Sequence, residues 1–148
     1  MKIAIGCDHG GYELKQDVVS LLADLGHEVE DCGTNSVASV NYPDFAQLVC
    51  EQVKEGSSTM GILICGTGIG MSMAANRHPE IRAALCNEAF TARMSREHND
   101  ANVLCLGARV LGPGLALDIV RTWLTTNFAA GRHLTRIEMF SIREFLQE

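Results

Sequence analysis

A chain of 148 residues, 47% of them apolar and 20% charged, has the size and composition of one compact domain spanning residues 1–148. Its 18 acidic and 12 basic side chains leave a net charge of −6, which excludes the broad electrostatic attraction that holds nucleic acid or an anionic membrane. The N-terminus lacks the apolar core of a secretory signal, and no segment approaches the roughly 20 apolar residues of a membrane span, so a cytoplasmic protein is expected.

The first predicted element is a strand over Lys2 to Gly6, followed by a helix in which Leu14, Val18, Leu21, Leu22 and Leu25 recur at helical spacing. That helix should stop near Gly26. His27 to Asp31 reads as a short second strand, and Gly33 to Asn41 as a loop. Pro43 and Asp44 suit the first turn of the next helix, whose buried stripe is expected to be Phe45, Leu48, Val49 and Val53. Gly61 to Cys65 is a continuous apolar run, the pattern of a strand covered on both faces, and a helix starts around Met71 after a glycine-rich turn. Arg82 to Cys86 and Asn102 to Leu106 repeat the strand pattern. Helices are expected over Glu88 to Glu97, over Pro113 to Thr126, and within Gly131 to Glu148.

Strands alternating with helices imply a parallel sheet, because each parallel crossover needs a connecting helix. The expected fold is a three-layer α/β/α sandwich, Rossmann-like, with about five parallel strands and a C-terminal helix. Ligands of such sheets sit beyond the carboxyl ends of the strands, which gathers Cys7-Asp8-His9, Cys65 to Gly70 and Cys86-Asn87 on one rim.

Within Cys65-Gly66-Thr67-Gly68-Ile69-Gly70, three alternate glycines let the backbone turn several N–H groups toward one point. The loop suits an oxyanion or phosphate, or equally a tight turn needed only for packing. Cys65 stands just before those donors, where aligned N–H groups favour a thiolate able to take a proton; otherwise it is a small apolar residue ending a strand. His98, in the polar run Arg96-Glu97-His98-Asn99-Asp100, is an acid–base candidate if it lies in a cleft and a solvated helix-end residue if not. Arg132 and Arg136 share a helix face, and with Arg109 they stand out in an acidic chain as phosphate ligands, although a solvated basic face is the commoner use of such a pair. His27, His78 and His133 have no metal-site spacing and read as surface residues. The six cysteines show no CxxC and no Cys/His cluster.

A thiolate base, an oxyanion cradle, an acid–base histidine and phosphate-binding arginines together describe proton abstraction beside the carbonyl of a phosphorylated sugar. The sequence also resembles the type B ribose-5-phosphate isomerases over nearly its whole length. The shared motifs, in order, are Gly6-Cys7-Asp8-His9, Asn41-Tyr42-Pro43, Ile64 to Gly70, Ala74-Ala75-Asn76, Arg96 to Asp100, Asn102-Val103-Leu104, Gly107-Ala108-Arg109-Val110 and Gly131-Arg132-His133. The resemblance implies that Cys65 shuttles a proton through an enediolate whose oxyanion the amides of Gly66, Thr67, Gly68, Ile69 and Gly70 hold. It implies that His98 opens the furanose ring, helped by Thr67, and that Asp8, Tyr42 and Asn99 meet sugar hydroxyls or reacting oxygens. His9, Arg109, Arg132 and Arg136 would hold the phosphate. No cofactor and no metal are implied, and the protein is expected to be a homodimer or dimer of dimers with its active site across the interface.

One branch of that family uses a glutamate just after the glycine loop; here that position is Met71, which leaves Cys65 as the base. Other members act on allose 6-phosphate, galactose 6-phosphate or four-carbon sugar phosphates, and Gly10-Gly11 and the loop Asn35 to Val40 are where this chain departs from the ribose-phosphate pattern. A non-catalytic phosphate-binding domain is the alternative of another class.

Overall fold

The computed structural model describes residues 1–140. Five strands form one sheet: β1 (Lys2–Cys7), β2 (Glu28–Asp31), β3 (Met60–Cys65), β4 (Ala83–Leu85) and β5 (Val103–Gly107). Their order is β2-β1-β3-β5-β4, and every pairing is parallel. The crossovers are α1 (Tyr12–Asp24), α2 (Tyr42–Lys54), α3 (Ile69–Ala75) and α4 (Ala89–Glu97), with α5 (Pro113–Thr125) and α6 (Arg132–Glu138) after the last strand. The result is the expected three-layer α/β/α sandwich, Rossmann-like in form.

Strand alternation divides the core in two. Ile3, Ile5, Ile62, Ile64, Leu104 and Leu106 pack against Leu14, Val18, Leu22, Ile119 and Trp123 of α1 and α5. Ala4, Leu63, Cys65, Val103 and Cys105 pack against Ala46, Val49, Met71 and Ala75 of α2 and α3. The central strands are apolar throughout because both of their faces are covered. Gly26, at φ +77°, ends α1: the N–H of His27 returns to the carbonyl of Leu22 at 2.9 Å, which places a left-handed residue where only glycine is unstrained.

The elements follow the sequence reading with small shifts, since α3 begins at Ile69 rather than Met71. Leu48 is a correction. It is 46% exposed, and Ala46 and Cys50 take the buried positions expected of it, because α2 turns its small residues to the close-packed β1–β3 surface. The residues of Gly131 to Glu148 beyond Phe140 lie outside the described part.

The chain reverses its direction of travel across the sheet between β1 and β3, which sit side by side. At such a switch point the loops after the two strands diverge to opposite faces and leave a crevice. Beside it, Lys15 is buried in α1, its ammonium 2.8 Å and 2.9 Å from the Asp31 carboxylate and 2.9 Å from the carbonyl of Thr34. Those bonds tie the β2–α2 loop to α1.

Candidate active site

The carboxyl end of β3 delivers Cys65 to the crevice. Its Sγ accepts a hydrogen bond from the N–H of Gly68 at 3.1 Å, and the side chain is only 5% exposed. Gly68 has φ +77°, and this left-handed turn is what aims its N–H back at the sulfur. Thr67 Oγ1 accepts from the N–H of Ile69 at 3.3 Å, at the start of α3, and both side chains are exposed.

The glycines of this loop mark close approaches. A Cβ on Gly70 would lie 2.6 Å from the Tyr42 ring, one on Gly66 3.3 Å from the Arg109 side chain, and one on Gly10 3.2 Å from the Gly66 nitrogen. Tyr42, Arg109 and the His9–Gly11 turn therefore form the walls of the loop. Asp8 is buried, and its Oδ1 accepts from the N–H groups of Gly10 at 2.9 Å and Gly11 at 3.2 Å, a cap that sets the turn presenting His9. His9 Nδ1 accepts from the N–H of Val40 at 3.3 Å, which in the neutral ring leaves the proton on Nε2. His9 and Arg109 line a cleft of about 400 Å³ together with Glu13, Asp17 and Val37.

The five other cysteines are held as thiols by their surroundings. Burial pushes the thiols of Cys7 and Cys50 up to about 11, and raises Cys32, Cys86 and Cys105 as well, so all five stay protonated near neutrality. All six cysteines are free thiols.

The remaining candidates lie elsewhere. α4 carries the chain from the carboxyl end of β4 back to the amino end of β5, so His98 and Asn99 occupy the opposite edge of the sheet from Cys65. At about 3.3 Å per residue, the length of β5 alone separates the two edges by about 15 Å. His98 stacks on His133, ring centroids 4.2 Å apart and planes at 10°, and the N–H of Ala129 bonds the Glu97 carbonyl at 2.9 Å to hold the approach to α6. Arg132 and Arg136 are exposed on α6 at that same edge. Asn99 lines a separate cleft of about 460 Å³ with Arg82, Ser95 and Phe140.

One polypeptide thus carries two clusters. Asp8, His9, Tyr42, Cys65 to Gly70 and Arg109 gather at the carboxyl edge; His98, Asn99, Arg132 and Arg136 gather at the amino edge. His133, read from sequence as a surface residue, stacks on His98 and so stands with the second cluster. Its pKa is lowered by desolvation and by the neighbouring His98, Arg132 and Arg136. Its place beside Arg132 in Gly131-Arg132-His133 was the available signal. Among the described residues, no group of three or more His, Cys, Asp or Glu side chains is arranged to hold a metal ion, and no helix is long and apolar enough to cross a membrane.

Comparison with known proteins places these features in a family. The family model described as Ribose/Galactose Isomerase matches residues 3–140. The solved structure of Clostridium thermocellum ribose-5-phosphate isomerase B superimposes with a TM-score of 0.93 at 57% identity, covering 94% of each chain. Ribose-5-phosphate isomerase B of Escherichia coli is 48% identical over 143 residues, 97% of this chain and 96% of that protein. D-erythrulose-4-phosphate isomerase of Pectobacterium atrosepticum is 38% identical over 149 residues, 97% of this chain and 95% of its own.

Proposed function

Because the chain belongs to the Ribose/Galactose Isomerase family and is a sugar-phosphate isomerase, we propose that it interconverts ribose 5-phosphate and ribulose 5-phosphate, with Cys65 as the proton-transfer base. The observation that carries this reading is the Cys65 sulfur at the switch point, facing the Gly68 N–H and enclosed by Tyr42, Arg109 and the Asp8-capped turn. Met71, the position of a glutamate base in one branch of the family, is a fully buried thioether and cannot take a proton.

In the aldose-to-ketose direction the Cys65 thiolate takes the hydrogen from C2, and the electrons of that bond form the C1–C2 double bond of an enediolate. Charge moves onto the C1 oxygen, where the loop amides can stabilise it; a single such donor can matter by about 3 kcal/mol. The thiol returns its proton to C1, and the proton of the C2 hydroxyl passes to the C1 oxygen as the ketone forms. Thr67, exposed in the loop, is assigned to assist ring opening. His9 and Arg109 offer an Nε2–H and a guanidinium at the phosphate end.

Ring opening is assigned to His98, with Asn99 on the reacting oxygens and Arg132 and Arg136 on the phosphate. In one chain these stand across the sheet from Cys65, so the proposed catalyst is a homodimer in which a second copy supplies them. The whole chain acts as one isomerase domain, in the cytoplasm. The P. atrosepticum relative supports a second reading, the same chemistry on a four-carbon sugar phosphate.

The test is turnover of ribose 5-phosphate, allose 6-phosphate, galactose 6-phosphate and erythrose 4-phosphate in parallel, with Cys65→Ala as control. Preferred conversion of the ribose compound, reduced about 10²–10⁴-fold by Cys65→Ala, is the expected result. Preference for another sugar reassigns the substrate, full activity of Cys65→Ala removes the base, and binding without turnover returns the chain to a phosphate-binding role.

A further inference from the structure

The turn that carries His98 and Asn99 is built with unusual care at the residue after them. Asp100 has φ +44°, a left-handed backbone that is uncommon for any residue with a side chain. Its carboxylate is shared between two arginines from different elements. Arg96 of α4 donates from Nη1 to Oδ1 at 2.8 Å, and Arg82, just before β4, donates from Nη2 to Oδ2 at 3.1 Å. Arg82 Nε also reaches the carbonyls of Asn99 at 3.1 Å and Asp100 at 3.0 Å, while Arg96 Nη1 binds the carbonyl of Ala101 at 2.7 Å. The Arg96 guanidinium is buried against the Trp123 ring, 5.7 Å from its centroid, so α5 is tied into the same arrangement.

Helix termination alone does not call for this. The Asp100 N–H already bonds the Arg96 carbonyl at 3.1 Å, and the Ala101 N–H bonds the Ser95 carbonyl at 2.9 Å. What the arginines add is a fixed direction for the carbonyls of Asn99 and Asp100, through Arg82, and of Ala101, through Arg96, and therefore for the backbone from which the Asn99 and His98 side chains project. A residue in a sparsely populated backbone region that is held by several partners is the expected form of a positioning device.

We infer that Asp100, clamped by Arg82 and Arg96, is a positioning residue that holds His98 and Asn99 in register for the isomerase reaction. This rests on the acid–base role proposed for His98. Asp100 does not touch substrate; it acts through the turn, and the His98–His133 stack fixes the ring from the other side.

Asp100→Gly tests it, because glycine accepts the left-handed backbone and removes the carboxylate that the two guanidiniums share and that holds them against the turn carbonyls. The expected result is a kcat on ribose 5-phosphate lowered about tenfold or more, with KM within about twofold, since misplacing a catalytic group costs rate more than ground-state binding. The His98 ring-proton resonances should move away from the values imposed by stacking on His133. Asp100→Asn, which tolerates the same backbone and still offers Arg96 an oxygen, should recover most of the rate. If Asp100→Gly is too unstable to assay, Arg82→Lys keeps a cation near Asp100 but loses the fork to the two carbonyls, and should show the same kcat loss. Full turnover in both variants, or an unchanged His98 spectrum, overturns the clamp. His98→Ala separates the two failures. If it is fully active, the acid–base reading falls and the clamp with it; if it is defective beside a fully active Asp100→Gly, the clamp alone falls.

Discussion

Gly68→Ala is the most direct test of how the loop is built. At φ +77° an alanine costs about 1–2 kcal/mol over glycine. Its Cβ would also stand 2.6 Å from Leu85 Cδ1 and 3.0 Å from the Leu106 carbonyl carbon; the leucine methyl can turn, but the β5 backbone cannot. Overpacking of this kind adds about 1–3 kcal/mol, so the expected loss is about 2–5 kcal/mol. Two further alanines apportion it. Gly26 has the same φ of +77° with nothing near its Cβ position, and should lose about 1–2 kcal/mol. Gly114, in the first turn of α5 with open space around it, should lose nothing and gain less than the about 1 kcal/mol of a helix interior. Urea titrations of the three variants give the stabilities. Turnover of Gly68→Ala should also fall by about 10²-fold, because any relief of the clash moves the N–H that bonds Cys65 at 3.1 Å. A Gly68→Ala protein no less stable than Gly26→Ala, with unimpaired kcat, would refute the reasoning.

Two other outcomes are expected. Lys15→Met should cost about 1–3 kcal/mol, since it leaves the buried Thr34 carbonyl with only the weak Cys7 thiol donor at 4.0 Å, and it should raise the KM for the sugar phosphate by freeing the loop whose Val40 N–H orients His9; an unchanged KM would disconnect that loop from the phosphate end. Because the folded pKa of His133 is depressed, the unfolded chain binds more protons as the pH falls through the ordinary histidine range, so the native state loses stability there and regains it above. His133→Phe, which keeps a ring against His98, should flatten that dependence between about pH 7 and pH 5, and an identical pH profile for wild type and variant would remove His133 as its source.

Local physics made much of this chain readable before its structure. The Leu14-Val18-Leu21-Leu22 stripe has the period of an amphipathic helix, the runs at Gly61 to Cys65 and Asn102 to Leu106 have the pattern of strands covered twice, and Gly26 marks the end of α1 because the backbone there turns left-handed. That Asp8 and Cys65 stand at the carboxyl ends of neighbouring strands followed from one rule about parallel sheets. Tertiary structure decided what depends on where separate elements meet. Leu48 sits within an apolar stripe yet faces outward, because α2 packs its smallest residues on the sheet. His133 stacks on His98 across 35 positions of sequence, a contact that no spacing encodes. His98 and Cys65 each stand at the edge to which strand direction carries them. Pattern along a chain reports the period of each element, whereas the distance between two side chains depends on the order β2-β1-β3-β5-β4 and on the direction of every crossover.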